Sequence, residues 1–308
     1  MSLPFIITHR IAGLSIRTEA DVAIPHLLLP PFSQFQVGDC PADIRYRAQG
    51  YDPAASQAAP LSGDERERLR QTIHFPLRWL NHDLLSLPEI GACVRVGLEQ
   101  PALTHIGLRW RRASIRNYDR CELDLFYPPA ERGSFARPLI IARYRNSLAS
   151  FFPNFAAVMI HAAGVIRQGG AVLFLAPDEG GKTSAVRLAT REPILNDDHL
   201  ILRQTDDGVM AHGTPFGPLT SGPLQARVSG LFLLEKGDSF TLTPARASEA
   251  LRHLWDEHLH TWSVMPKSLK RQAFDVLYNA CHQAPVYRLR FARTYIDWDA
   301  VDRVLTSS

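Results

Sequence analysis

The chain has 308 residues, with 34 Lys or Arg against 31 Asp or Glu, a formal charge of +3 and a pI near 8.7. That balance excludes the dense cationic face of a nucleic-acid binder, while 45% hydrophobic residues over this length supply enough core for two domains. No apolar run nears the roughly 20 residues that cross a bilayer, the start around Pro4, His9 and Arg10 lacks a signal-peptide layout, and Cys40, Cys93, Cys121 and Cys281 have no metal-type spacing. The expectation is a cytoplasmic protein with reduced thiols and neither a membrane nor a nucleic-acid partner.

Residues 1–150 read as a mixed, mainly β domain. Alternating segments at 6–17, 92–97 and 120–126 suggest strands between Pro-rich connections, and Gly63-Asp-Glu-Arg-Glu-Arg-Leu-Arg70 looks like the capped start of a charged helix. The basic run Arg109-Trp-Arg-Arg-Ala-Ser-Ile-Arg116 suits either an acidic partner or, more ordinarily, a solvated strand edge. Substrate recruitment and homo-oligomerisation are the roles open to this half. Residues 143–160 are expected to form a helix joining it to the second domain, 151–308, with Tyr144, Leu148, Phe151, Phe152 and Phe155 in the core and a break or kink at Pro153.

In the second domain, His161 interrupts the apolar segment Ala156-Ala-Val-Met-Ile-His-Ala-Ala-Gly-Val165, as a hydrogen-bonded core histidine or a catalytic one. The run Ala171-Val-Leu-Phe-Leu175 is a buried-strand pattern, and residues 183–189 favour a helix. Between them lies Ala176-Pro-Asp-Glu-Gly-Gly-Lys-Thr183. A triphosphate needs backbone N–H groups curled around it, an ammonium, and a hydroxyl for magnesium; Gly180, Gly181, Lys182 and Thr183, followed by Ser184, offer all of these. Taken alone, the octapeptide also reads as a surface turn with an exposed lysine. Ala176 stands where the template has its first glycine, which works only if its φ is negative. Asp178 and Glu179 oppose an anionic ligand unless they point into solvent, which screens them.

Downstream, Asn196-Asp-Asp-His199 joins two apolar runs, and Asp197 and Asp198 cannot both face one way on an extended chain. One carboxylate is then available for a metal ion and the other for a different part of the cleft, or both belong to a solvated turn. A hairpin turning at Thr205-Asp-Asp-Gly208 is expected next, then an irregular Gly- and Pro-rich segment, 213–223, suited to closing over an acceptor, with Arg227 as a candidate to stabilise transferred charge or an ordinary surface arginine. Residues 231–234 and 240–243 suggest a second hairpin, 247–258, 267–282 and 298–305 helices, and 286–291 a strand. His253, His258 and His260 with Asp256 and Glu257 form at most a poor metal set, because a spacing of five misaligns ligands on a helix.

His161, the turn Arg167-Gln-Gly-Gly170, the loop ending in Lys182-Thr183, and Asp197-Asp198 together resemble the catalytic domain of the HPr kinase/phosphorylase family over roughly residues 159–212. The resemblance implies an α/β (mixed α+β) phosphate-loop domain of the kind shared with phosphoenolpyruvate carboxykinase, using ATP and Mg. By that likeness the loop from Ala176 through Asp178, Glu179, Gly180, Gly181 and Lys182 to Thr183 and Ser184 binds the nucleotide, and Lys182 touches its terminal phosphates. Thr183 binds the magnesium, with Asp198 as the further metal candidate. One of Asp197 and Asp198 acts as base, and His161 sits beside the transferred phosphoryl group. The expected activity is transfer of the γ-phosphoryl group of ATP to a hydroxyl, most naturally a Ser or Thr of a protein or peptide. The alternative is a catalytically inactive nucleotide-binding module with a regulatory or scaffolding role.

Overall fold

The computed structural model describes residues 5–50, 62–72, 104–109, 112–127, 139–189, 191–257, 265–292 and 294–306. The chain forms two compact units, Met1–Arg10 with Leu14–Phe151, and Ile11–Gly13 with Phe152–Ser308. The class is mixed α/β.

In the first unit the described strands are β1 (Phe5–Ile11), β2 (Leu14–Ala20), β3 (Gln36–Val37), β4 (Ile44–Gly50), β5 (Thr104–Arg109), β6 (Arg112–Asn117) and β7 (Glu122–Tyr127). They form one sheet in the order β3-β1-β2-β4-β7-β6-β5, with β2, β4 and β7 mutually parallel and β7, β6 and β5 antiparallel. Alternate residues Ile44, Tyr46 and Ala48 of β4 are buried, as the two-residue period of a strand requires. Helix α1 (Gly63–Thr72) opens with a capping box: the Glu65 N–H donates to Ser62 Oγ and the Ser62 N–H donates to the Glu65 carboxylate. Helix α2 (Leu139–Ala149) buries Tyr144, which packs edge-on against Tyr46 at 5.0 Å and shares a 2.8 Å hydrogen bond with Thr18. Across the parallel β4/β7 pair, Arg47 donates to Asp124 and Glu122. Arg109 and Arg112 are opposed in the β5/β6 hairpin, and β5 is the edge of the described sheet. Residues 92–97 fall outside the described residues.

The second unit is built on β8 (Ala157–His161), β9 (Ala163–Arg167), β10 (Gly170–Leu175), β11 (Ile194–Asn196), β12 (His199–Thr205), β13 (Gly208–His212), β14 (Gln225–Lys236), β15 (Thr241–Pro244) and β16 (Val286–Phe291), with helices α3 (Lys182–Leu188), α4 (Ala247–Asp256), α5 (Lys267–Gln283) and α6 (Trp298–Thr306). The main path is β11-β9-β10-β14-β13-β12-β8, and β16 pairs the later half of β14 in parallel. Val172, Phe174 and Ala176 point to a core shared with Ala185 and Val186 of α3 and Val301 of α6. By strand alternation Leu175 and Leu233 point the other way, where Arg252 and His253 of α4 help line a cleft with them. Covered on both faces, β10 is therefore apolar throughout.

Three expectations are corrected here. Residues 143–160 are not one helix: α2 ends at Ala149, a 3-10 turn holds Phe152–Phe155, and β8 starts at Ala157. Pro153 lies inside that turn, where its missing N–H and fixed φ are tolerated, and Ala156 takes a positive φ of 51° before the chain extends. Residues 231–234 and 240–243 do not pair with each other, because β16 lies between β14 and β15. Arg227 pairs with Gly170, at the start of β10, whereas the loop leaves β10 at its other end after Leu175. Five residues of strand, roughly 16 Å, separate that arginine from the loop.

Candidate active site

Two chain crossings bring the site together. β8 passes to β9 through Ala162, and β11 passes to β12 through Asp197 and Asp198. Because β8 pairs with β12 (His161 opposite His199) and β9 with β11 (Gly164 opposite Asn196), both crossings occur at the same level of the sheet. β10 runs antiparallel to β9 with Phe174 opposite Ala163, so the end of β10 lies beside the first crossing. The loop after Leu175 thus starts next to His161, and the aspartates reach it from the second crossing.

The loop has the shape its residues allow. Ala176 is buried, and its φ is not positive; the left-handed conformations fall on Glu179 (φ 60°) and Gly181 (φ 103°). The Gly180 N–H donates to the Pro177 carbonyl at 3.0 Å, and a Cβ at Gly180 would lie 2.5 Å from Ala176 Cβ and 2.8 Å from the Pro177 oxygen. Close approach of backbone therefore requires glycine there. Lys182, only 6% exposed, donates from Nζ to the carbonyls of Ala176 (2.7 Å) and Pro177 (3.1 Å). Burial lowers its pKa, against the pull of Asp178, Asp198 and Glu257. Asp178 and Glu179 are exposed, and the Asp178 side chain is 92% accessible, so solvent screens most of its charge. Ser184 is half-buried in the first turn of α3.

The two aspartates part company. Asp197, buried, accepts from Thr183 Oγ1 at 3.2 Å and from the Leu219 N–H at 3.1 Å. Asp198 accepts from His161 Nε2 at 3.1 Å and from His199 Nδ1 at 2.8 Å. The other nitrogen of His161 is 3.2 Å from Glu257 Oε2, at the end of α4, and Nε2 is also 3.3 Å from Asp178. With carboxylates at both ring nitrogens, the doubly protonated imidazolium satisfies every partner. The hydrogen bond to Asp198 accordingly raises the His161 pKa, with help from Glu257, against burial and Lys182. At Asp198 burial opposes ionisation, but hydrogen bonds from His161 and His199 outweigh it and hold the carboxyl well below the ordinary carboxylate range. The two imidazoles stack at 5.2 Å.

Asn196, wholly buried, orders this turn: its Oδ1 accepts from the N–H groups of Asp198 (2.7 Å) and His199 (2.8 Å), and its Nδ2 donates to the Thr214 carbonyl. The Gly- and Pro-rich segment 213–223 braces the same turn through Leu219 and through Thr220 Oγ1, which donates to the Leu195 carbonyl. Gly217 passes so close that a Cβ would fall 2.4 Å from Asn196 Oδ1 and 2.8 Å from Asp197 Oδ1. Sequence reading gave no role to Asn196, His199 or Gly217, and placed Glu257 only in a poor metal set with His253, His258 and His260. Asn196 and His199 flank the paired aspartates; nothing local ties Glu257 to His161, 96 residues away. Thr183 faces Asp197 rather than Asp198. His258 and His260 lie outside the described residues.

Beside Ala176 and Pro177 opens a cleft of about 270 Å³ lined by Leu175, Leu233, Leu234, Glu235, Glu249, Arg252, His253 and Arg288. Arg288 bonds Glu235 and Glu249, so the charged lining is largely neutralised from within.

No protein-family model matches the sequence, and no curated protein matches it. Among solved structures, the Hpr(Ser) kinase/phosphatase from Coxiella burnetii is similar over 48% of this chain and 93% of that one, at 11% sequence identity and a TM-score of 0.25. Superposition that loose fixes no residue correspondence between the two chains. Among the described residues no helix is long and apolar enough to cross a membrane.

Proposed function

We propose that the second unit is an ATP- and Mg-dependent phosphotransferase acting on a hydroxyl, most naturally a Ser or Thr of a protein or peptide. The observation that carries this reading is the convergence on one strand-loop-helix of two separate pairs, Thr183 with Asp197 and His161 with Asp198.

In this reading the triphosphate of ATP lies against the backbone of Gly180 to Thr183, and the Lys182 ammonium, now on the carbonyls of Ala176 and Pro177, turns onto phosphate oxygens. Thr183 and Asp197 give one hydroxyl and one carboxylate, the small ligand set by which magnesium is held beside substrate phosphates, so the residues present fit that ion. Magnesium, when bound there, would neutralise charge on the terminal phosphates. Asp198 faces the acceptor. Two histidine donors weaken its basicity, so its work is to accept the hydrogen bond of the attacking hydroxyl and orient it, taking the proton late, as suits a loose transition state. His161, cationic between its carboxylates, stabilises charge on the phosphoryl group in flight. The cleft beside Pro177, with its apolar and mixed-charge lining, accommodates the nucleoside.

Thermal unfolding with and without MgATP tests this reading. A ligand at 100 times its Kd stabilises by about 2.7 kcal/mol, and Lys182→Ala should abolish that protection. Asp198→Asn should keep it while phosphoryl transfer falls by about 10² to 10⁴-fold. Protection of the native chain without any phosphoryl transfer leaves a binding module, and no protection at all removes the assignment.

A further inference from the structure

Helix α5 buries Leu269, Ala273, Val276, Leu277 and Ala280 on one side. Its opposite side carries Lys267, Arg271, Phe274 and Tyr278 at steps of four, three and four, which places them in one stripe about 16 Å long. Lys267 and Arg271 are exposed, Lys270 flanks them half-buried, and none of the three makes an ion pair with a described residue. Phe274 and Tyr278 are 38% and 45% exposed, which is unusual for rings of this size. They are also ordered into a ladder: Trp255 meets Phe274 edge-on at 5.4 Å, Phe274 stacks on Tyr278 at 6.2 Å, and Tyr278 on His282 at 4.0 Å.

Three cations without an ion pair among the described residues outnumber the one carboxylate bordering this stripe, the exposed Asp275, and beside fixed aromatic rings they are complementary to a chain with carboxylates and an apolar or aromatic side chain. A 16 Å stripe matches about five extended residues. Location narrows the partner further. Trp255, which starts the ladder, belongs to α4, and two residues on Glu257 holds His161. The stripe is thus joined through α4 to the residue that holds His161, on the unit that carries the groups that would handle the acceptor. We propose that the exposed face of α5 is the docking surface for an acidic, aromatic-bearing segment of the phosphoacceptor polypeptide. Naming the occupant as the acceptor rests on the phosphotransferase reading; the surface and its chemistry do not.

Fluorescence anisotropy of the full chain with a labelled peptide, Glu-Glu-Asp-Phe-Glu-Ser-Phe-Glu-Asp-Glu, tests the proposal, alongside peptides with Lys for every acidic residue or Ala for both Phe. We expect binding that weakens steeply from 50 to 500 mM salt, at least tenfold weaker binding with the Lys peptide, and a clear loss with the Ala peptide. Lys267→Glu with Arg271→Glu should weaken binding at least tenfold and Phe274→Ala with Tyr278→Ser several-fold, while MgATP protection of the same preparations stays unchanged. Equal binding of all three peptides by the native chain, a result that needs no variant to fold, would overturn the proposal. So would binding of phosphatidylserine vesicles or of a 20-nucleotide RNA in place of the acidic peptide. If the peptide docks on α5 while MgATP gives no protection, the docking surface stands and the phosphotransferase reading falls; protection without docking has the reverse meaning.

Discussion

His161 Nε2 lies 3.1 Å from Asp198 Oδ1, joining the end of β8 to the turn that leads into β12. This pair makes the charge state of the site part of the stability of the fold, with a definite sign.

His161 is raised above its ordinary value of 6.5, so its contribution is complete below that pH and fades as pH rises through the folded value. Asp198 is held below its ordinary 3.8, so its contribution is complete above that pH and is lost on acidification toward the folded value. The pair therefore stabilises most fully between about pH 4 and 6.5. Because the Asp198 side chain is 37% exposed, we discount a charged hydrogen bond to about 1 kcal/mol. Urea midpoints of the native chain should fall from pH 6 to pH 9, and His161→Gln should flatten that slope; parallel slopes would contradict the assignment.

Asn196→Ala removes the acceptor of two N–H groups inside the aspartate turn. Each buried donor left without a partner costs about 1–3 kcal/mol, so a loss of about 2–4 kcal/mol is expected by chemical denaturation. An effect below about 0.5 kcal/mol, within the range of an ordinary surface substitution, would show that Asn196 does not order the turn.

Gly217→Ala puts a methyl group 2.4 Å from Asn196 Oδ1 and 2.8 Å from Asp197 Oδ1, so both side chains, the second of them the one that meets Thr183, must give way. Overpacking of this kind costs about 1–3 kcal/mol. The functional consequence expected is selective: the magnesium requirement of ATP binding should rise several-fold by titration calorimetry, with little change in nucleotide binding measured without the metal.

Gly180→Ala collides with Ala176 Cβ, and this contact exists because alanine stands at position 176. The substitution should abolish MgATP protection. Ala176→Gly in the same chain removes one of the two close contacts and should restore part of it, while the contact with the Pro177 oxygen persists. No recovery in the double variant would place the whole cost on the Pro177 carbonyl.

Thr183→Val keeps the shape of the side chain and removes the hydroxyl that donates to Asp197. Phosphoryl transfer should fall, and the deficit should shrink as magnesium concentration is increased; a deficit indifferent to magnesium would separate Thr183 from the metal.

What the amino-acid order determined by itself was local. The apolar run ending at Leu175, the glycines at 180 and 181, the hairpin at Thr205–Gly208 and helices α4, α5 and α6 each depend on residues within a few positions of one another, where hydrophobic period and backbone preference act directly. Tertiary structure alone decided which strands became neighbours. The insertion of β16 between β14 and β15, the removal of Arg227 to the far end of β10, and the meeting of Glu257 with His161 all depend on contacts between distant residues. Loop-closure entropy makes such contacts dependent on the whole core rather than on any segment. The division of Asp197 and Asp198 lies between these cases. Alternation along an extended chain requires that the two point apart, but the partner each one meets is set by the two crossings at the end of β8 and the end of β11, and those exist only once the sheet has formed.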